Sequence, residues 1–284
     1  MPYITVGKEN SANIDLYYED HGSGNPIVLI HGYPLSGRAW ERQIPGLIEQ
    51  GHRVITYDRR GFGRSSQPWA GYNYDTFAED LQKVVTALGL QEFALMGHSM
   101  GGGEVARYIG KFGSKNVTQA IFVSGIPPYL RKASDNPEGV DGSVFDGIKK
   151  AIVADRPAFM TKFFADFYNL DKFKGKLISE EDVHADWITA VNASPKATLD
   201  CVDTWGTDFR NDVKRIDVPT LIVQGNADRI VPFEASGKRL AAMIKGSKLV
   251  VVEGGAHGLA WTHADSVNQA VKEFMGQTVR RKVA

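Results

Sequence analysis

A single cysteine, Cys201, occurs in 284 residues. One thiol closes no intramolecular disulfide and forms neither a redox pair nor a zinc cluster. Flanked by Leu199, Asp200 and Val202, it reads as a small core residue. An excess of one charge is also missing: 33 basic and 33 acidic side chains cancel. Without a basic stripe there is no electrostatic footprint for nucleic acid, so no nucleic-acid partner is expected. No apolar run approaches the ~20 residues that span a bilayer, and residues 1–10 lack the apolar stretch of a secretory signal. The expected setting is cytoplasmic, with no membrane partner. Metal spacing is absent too, since His257 and His263 are separated by what reads as a loop and a helix start. Nucleotide fingerprints fail: Gly61-Phe62-Gly63-Arg64 lacks the third spaced glycine, and Gly110-Lys111 is followed by Phe112. No metal and no cofactor are expected.

What remains is a globular composition, 43% hydrophobic, long enough for two modest domains or one large one. Short β-branched, nearly continuous apolar runs recur at 27–30, 53–57, 93–96, 120–123, 221–223 and 249–252. Such runs suit strands covered on both faces, and the helical stretches between them predict an α/β fold with a mostly parallel, twisted central sheet flanked by helices. Residues 14–19 alternate polar and apolar before a glycine turn, which predicts an antiparallel edge hairpin with residues 4–6. The strand rhythm stops between about residues 126 and 216. There Phe159, Phe163 and Phe167 recur every four residues, as do Met160, Phe164 and Tyr168, predicting a helix that is apolar around much of its circumference and buried on two sides. The chain therefore divides into a core, 1–125 and 216–284, and a helical cap insertion, 126–215.

Chemistry concentrates at strand ends. Gly97-His98-Ser99-Met100-Gly101 follows the 93–96 run and opens a helical pattern, the context of a nucleophile elbow in which Ser99 projects its hydroxyl above the sheet. A serine hydroxyl is a weak nucleophile and needs a base oriented by an acid. Asp228 follows the 221–223 strand and His257 follows the 249–252 strand, giving the chain order Ser, Asp, His of an α/β-hydrolase triad. Taken singly each reads as an ordinary loop residue; their joint placement selects them. His31, which directly follows the 27–30 strand, is the rival base, but its place before Gly32 suggests a structural hydrogen bond. His98 should point behind the elbow, and His21, His52 and His184 have surface-like neighbours. Acyl transfer also needs donors to an oxyanion: the backbone amide of Met100 at the helix start, and that of Tyr33 in His31-Gly32-Tyr33-Pro34, since Pro34 has no N–H. Asp58 is expected to cap backbone amides.

His31-Gly32-Tyr33-Pro34, Tyr57-Asp58-Arg59-Arg60-Gly61-Phe62-Gly63-Arg64-Ser65, Gly97-His98-Ser99-Met100-Gly101-Gly102-Gly103-Glu104, Asp135-Asn136-Pro137-Glu138-Gly139 and Ala256-His257-Gly258 together resemble the cofactor-free haloperoxidase, or perhydrolase, and aryl esterase branch of the α/β-hydrolases. The likeness runs from about residue 3 to residue 275. It implies the same triad and oxyanion amides, a helical cap over the pocket, hydrolysis of small esters, peracid formation from carboxylic acids and hydrogen peroxide, and self-association into a homo-oligomer. One departure stands in the elbow: the branch usually has Phe before the serine, and this chain has His98. Pro34, by contrast, matches the loop associated with perhydrolysis. The resulting expectation is a serine hydrolase of small, largely apolar carboxylic esters, its acyl pocket formed by Phe163, Phe167, Trp205 and Ile230, with perhydrolysis as a side activity. A lactamase or lactonase would use the same triad, and a non-catalytic receptor on this fold is the alternative of another class.

Overall fold

The computed structural model describes residues 2–283, with side chains described through Gly276. Eight strands form one sheet: β1 (Tyr3–Glu9), β2 (Ala12–Gly22), β3 (Asn25–Ile30), β4 (His52–Tyr57), β5 (Phe93–His98), β6 (Val117–Val123), β7 (Thr220–Gly225) and β8 (Lys248–Val252). Their spatial order is β1-β2-β4-β3-β5-β6-β7-β8. The pairs β1–β2 and β2–β4 are antiparallel, and every later pair is parallel. The antiparallel hairpin thus sits at one edge, as its alternating sequence predicts, while the continuous apolar runs occupy the parallel interior.

Helices α1 (Ile44–Glu49), α2 (Tyr74–Ala87) and α3 (Met100–Phe112) lie between β3 and β6; α4 (Gly142–Phe167), α5 (Leu170–Phe173), α6 (Glu180–Asn192), α7 (Pro195–Thr204) and α8 (Arg210–Val213) lie between β6 and β7; α9 (Gly237–Met243) precedes β8, and α10 (Leu259–Thr262) and α11 (Ala264–Val283) follow it. Because side chains alternate across a strand, each interior strand feeds two cores. Ile27, Leu29, Ala94, Met96, Ile121 and Val123 pack with Val267, Val271 and Phe274 of α11 on one face. Val28, Ile30, Leu95 and Phe122 pack with Phe77, Leu81, Val105 and Ile109 of α2 and α3 on the other. All of these strand residues are wholly inaccessible or nearly so.

The helices between β6 and β7, called the insertion below, are not a separate globule. Their buried residues Met160, Phe164, Phe167, Val202 and Phe209 belong to the same apolar cluster as the α2–α3 face of the sheet. Helix α4 breaks at Asp155, whose backbone leaves helical geometry (φ −159°, ψ 90°) just before Pro157. Asp155 accepts a bond from the Ala158 amide at 2.9 Å, so it caps a second helical half that Pro157 starts. That second half carries the stripe of Phe159, Phe163 and Phe167 and, beside it, Met160 and Phe164, all of them buried. His52 departs from expectation. It is 8% exposed rather than on the surface, because it begins β4, an interior strand paired with β2 on one side and β3 on the other.

Candidate active site

The elbow is built by steric necessity. Ser99 has φ 54° and ψ −118°, a conformation costly for a residue with a Cβ. The strand and helix on either side approach so closely that a Cβ on Gly97 would lie 2.3 Å from the Gly101 carbonyl oxygen, and one on Gly101 would lie 2.2 Å from that of Ile30. Ser99 is thereby held at the head of α3.

Asp228 and His257 stand in the loops after β7 and β8. His257 Nδ1 lies 2.8 Å from Asp228 Oδ2, and Nε2 lies 2.8 Å from Ser99 Oγ. With Nδ1–H donating to the carboxylate, Nε2 is left to accept the serine proton. The other carboxylate oxygen accepts the amides of Ile230 and Val231 at 2.9 and 2.8 Å. Both side chains of the His–Asp pair are fully inaccessible. The amide of Met100 heads α3, where first-turn N–H groups lack intrahelical acceptors. Tyr33 sits in the loop after β3, its ring edge-on to Phe163 and Trp205 at 5.6 and 4.9 Å.

A cavity of about 440 Å³ opens above Ser99, walled by Tyr33, Phe145, Phe159, Phe163, Trp205 and Ile230, with Lys162, Asp166 and Arg229 also on its lining. Phe163, Trp205 and Ile230 line the cavity above Ser99. Phe167 does not line this cavity. It is 1% exposed and sets its ring edge against His257, centroids 4.9 Å apart at 82°. In a helix that is apolar all round, periodicity does not say which ring meets the void; packing against the His257 loop decides it.

Beneath the elbow lies a second buried polar group. His31 Nε2 accepts the Arg59 amide at 2.9 Å, and Nδ1–H donates to the Gly32 carbonyl at 2.8 Å. The Arg59 guanidinium donates to Glu104 Oε2 at 2.8 Å and to the His31 carbonyl at 2.9 Å, and the Tyr57 hydroxyl donates to Glu104 Oε1. Arg59 and Glu104 are 1% and 0% exposed. This network ties the loop bearing Tyr33 to the helix bearing Met100. Burial pushes the Glu104 carboxyl upward, opposed by the Arg59 charge. Burial, and then the Arg59 charge, push His31 well below 6.5. His98 does turn behind the elbow, where its Nε2–H donates to the His257 carbonyl at 3.0 Å, and burial pushes it down to about 3. Asp58 accepts the amides of Gly37 and Arg64. Cys201 is fully buried, and burial pushes its thiol upward. No group of three or more His, Cys, Asp or Glu side chains is disposed to hold a metal among the described residues, and no helix there is long and apolar enough to cross a membrane.

The family described as alpha/beta hydrolase fold matches residues 25–264. The chain is an α/β-hydrolase. A Synechocystis sp. relative provisionally named a non-heme chloroperoxidase is 58% identical over 275 residues, covering 97% of this chain and 100% of its own. The bifunctional esterase/perhydrolase DCH of Acinetobacter calcoaceticus is 36% identical, with 97% and 99% covered. Among solved structures, the bromoperoxidase of Bacillus anthracis superposes with a TM-score of 0.93 at 48% identity, covering 97% of this chain and 99% of that one. These relatives put the hydrolase in the haloperoxidase and esterase branch of its family, the branch its motifs resemble.

The sequence does not reveal three features of this α/β-hydrolase: the Arg59–Glu104 pair, the His98 contact and a contact from Asn169 described below. Glu104, an acid amid Gly101-Gly102-Gly103 and Val105-Ala106, was the only available signal of the first.

Proposed function

We propose that this α/β-hydrolase cleaves small, largely apolar carboxylic esters through an acyl-enzyme on Ser99. The observation that carries the reading is the unbroken chain from Ser99 Oγ through His257 to Asp228, each link 2.8 Å, at the floor of an aromatic-walled cavity. His257 takes the hydroxyl proton as Ser99 Oγ bonds to the acyl carbon, and the Tyr33 and Met100 amides donate to the oxyanion. The imidazolium, supported by Asp228, returns the proton to the departing alkoxide. Water, deprotonated by His257, then attacks the acyl carbon and frees the acid and Ser99. The insertion acts as a cap over this pocket, and its mostly apolar walls, with Lys162, Asp166 and Arg229 also on the lining, suit largely apolar substrates.

Hydrogen peroxide in place of water gives a peracid: a peroxide oxygen bonds to the acyl carbon, the Ser99 ester bond breaks, and the proton passes through His257 to the serine. The peracid, once released, oxidises bromide to hypobromite and is itself reduced to the carboxylic acid. The esterase/perhydrolase of A. calcoaceticus supports this second activity. A fluorophosphonate probe should label the wild type and not Ser99→Ala, and peroxide-dependent bromination should require added acetate and vanish in Ser99→Ala. Equal labelling of the two proteins, or bromination that persists without a carboxylic acid, would refute the respective reading. Matched esters, lactones and lactams compared on one preparation rank the substrate classes.

A further inference from the structure

Asp228 and His257 stand on loops, Ala227-Asp228-Arg229 and Ala256-His257-Gly258, so their alignment depends on whatever fixes the backbone beside them. One short stretch of the insertion touches both. At the end of α4, the Phe167 carbonyl accepts the Gly258 amide at 2.8 Å, one residue past the histidine. Two residues on, Asn169 Nδ2 donates to the Ala227 carbonyl at 2.9 Å, one residue before the aspartate. The Phe167 ring packs edge-on against the imidazole.

Asn169 is unusual in three ways. It is 0% exposed. Its backbone is left-handed, φ 49° and ψ 54°, a region that side chains other than Gly, Asn and Asp rarely enter. Its side chain caps no helix, and its Oδ1 has no partner among the described residues. Glycine would satisfy this backbone with less strain, and a turn residue facing water would leave its amide solvated. Among the described residues, the only hydrogen bond the side chain makes is the one to the loop bearing Asp228. A second link reaches the same loop from the next helix, where Arg229 pairs with Asp171 through bonds of 2.8 and 3.0 Å. That pair is largely exposed and screened by solvent, so the buried amide is the firmer of the two.

We infer that Asn169 is a positioning residue: it holds the Ala227 carbonyl, and so sets the place from which the Asp228 carboxylate meets His257. The core's acid is then aligned by the insertion, and the two regions function only as docked. This rests on reading Ser99, His257 and Asp228 as the triad. Holding such a group to within an ångström is worth roughly a hundredfold in rate.

The test uses the full chain and p-nitrophenyl acetate from pH 5 to 9, with fluorophosphonate labelling and thermal unfolding in parallel. Asn169→Gly keeps the left-handed backbone and removes only the side-chain bond. We expect a thermal midpoint near that of the wild type, kcat lower by about 10- to 100-fold with KM changed by less than about threefold, and proportionally slower labelling. The acidic limb of the kcat/KM profile should move to lower pH, because a displaced carboxylate supports the imidazolium less. A folded Asn169→Gly with the kcat and pH profile of the wild type would overturn the inference. Should that variant fail to fold, Asn169→Ala removes the donor altogether, and a folded Asn169→Ala with wild-type kinetics would overturn it equally. A wild type that neither hydrolyses esters nor labels would instead remove the triad reading; a labelled, active wild type matched by Asn169→Gly removes only this inference.

Discussion

His31 and His257 are both wholly buried, and both stand in loops just past a strand, yet their rings meet opposite surroundings. Behind His257 is the Asp228 carboxylate and in front of it the Ser99 hydroxyl. His31 has the Arg59 guanidinium nearby, and both its nitrogens are occupied by backbone groups of Gly32 and Arg59. A carboxylate stabilises an imidazolium and a guanidinium opposes one. On the proposed mechanism, burial and position do not make a base; the sign of the charge behind the ring and a free acceptor nitrogen facing Ser99 do. His31 instead anchors the loop that presents the Tyr33 amide, through the same arginine that grips Glu104 on the helix presenting the Met100 amide.

The comparison breaks most visibly in rate. Ser99→Ala or His257→Ala should lower kcat for ester hydrolysis by about 10⁶, and Asp228→Asn by about 10⁴. His31→Asn should retain at least about a hundredfold more activity than His257→Ala, since on the proposed mechanism only the position of one oxyanion donor is disturbed. Steady-state kinetics on one ester check all four, and a His31 variant as inactive as the His257 variant would erase the distinction.

The next effect is on stability. Glu104→Leu leaves the Arg59 charge buried and unpaired, and removal of one partner from such a pair costs about 3–5 kcal/mol. Urea unfolding at pH 7 reads it directly; a loss under about 1 kcal/mol would mean that the network carries no strong coupling.

The smallest effect is a slope. His98 is held neutral down to about pH 3 in the folded protein, while an unfolded histidine protonates near 6.5. Below that value the unfolded chain binds the proton that the folded one refuses. Stability from this group is therefore complete above about pH 6.5 and declines as pH falls toward 3, by about 1.4 kcal/mol per unit. His31 acts in the same direction. Burial of Glu104 and Asp80 works against it by raising their pKa values, so the wild-type curve alone does not isolate the term. The difference between wild type and His98→Phe, followed by urea unfolding from pH 7 to 5, does. Parallel curves for the two would show that His98 is not held neutral.

Much of this site is legible because its rules are local. Gly97 and Gly101 are required by backbone approaches within one strand–turn–helix unit, and the runs at 93–96, 221–223 and 249–252 place the serine, aspartate and histidine at strand ends without knowledge of the packing. Other features join residues far apart in the chain. Arg59 and Glu104 read as unrelated charges, and only the stacking of α3 against the loop after β4 makes them a buried pair. The phenylalanines of α4 announce a buried helix, but only docking against the His257 loop sends Phe163 to the cavity and Phe167 to the imidazole.

The sequence by itself determined the sheet with its edge hairpin, the elbow, and the placing of Ser99, Asp228 and His257 after strand ends, because hydrophobic periodicity and glycine sterics act over a few residues. Tertiary structure alone decided which buried histidine faces the serine, which charge stands behind it and which stretch of the insertion meets the loop bearing Asp228. Those outcomes depend on the direction of single hydrogen bonds between segments that are far apart in the chain and meet only in the folded molecule.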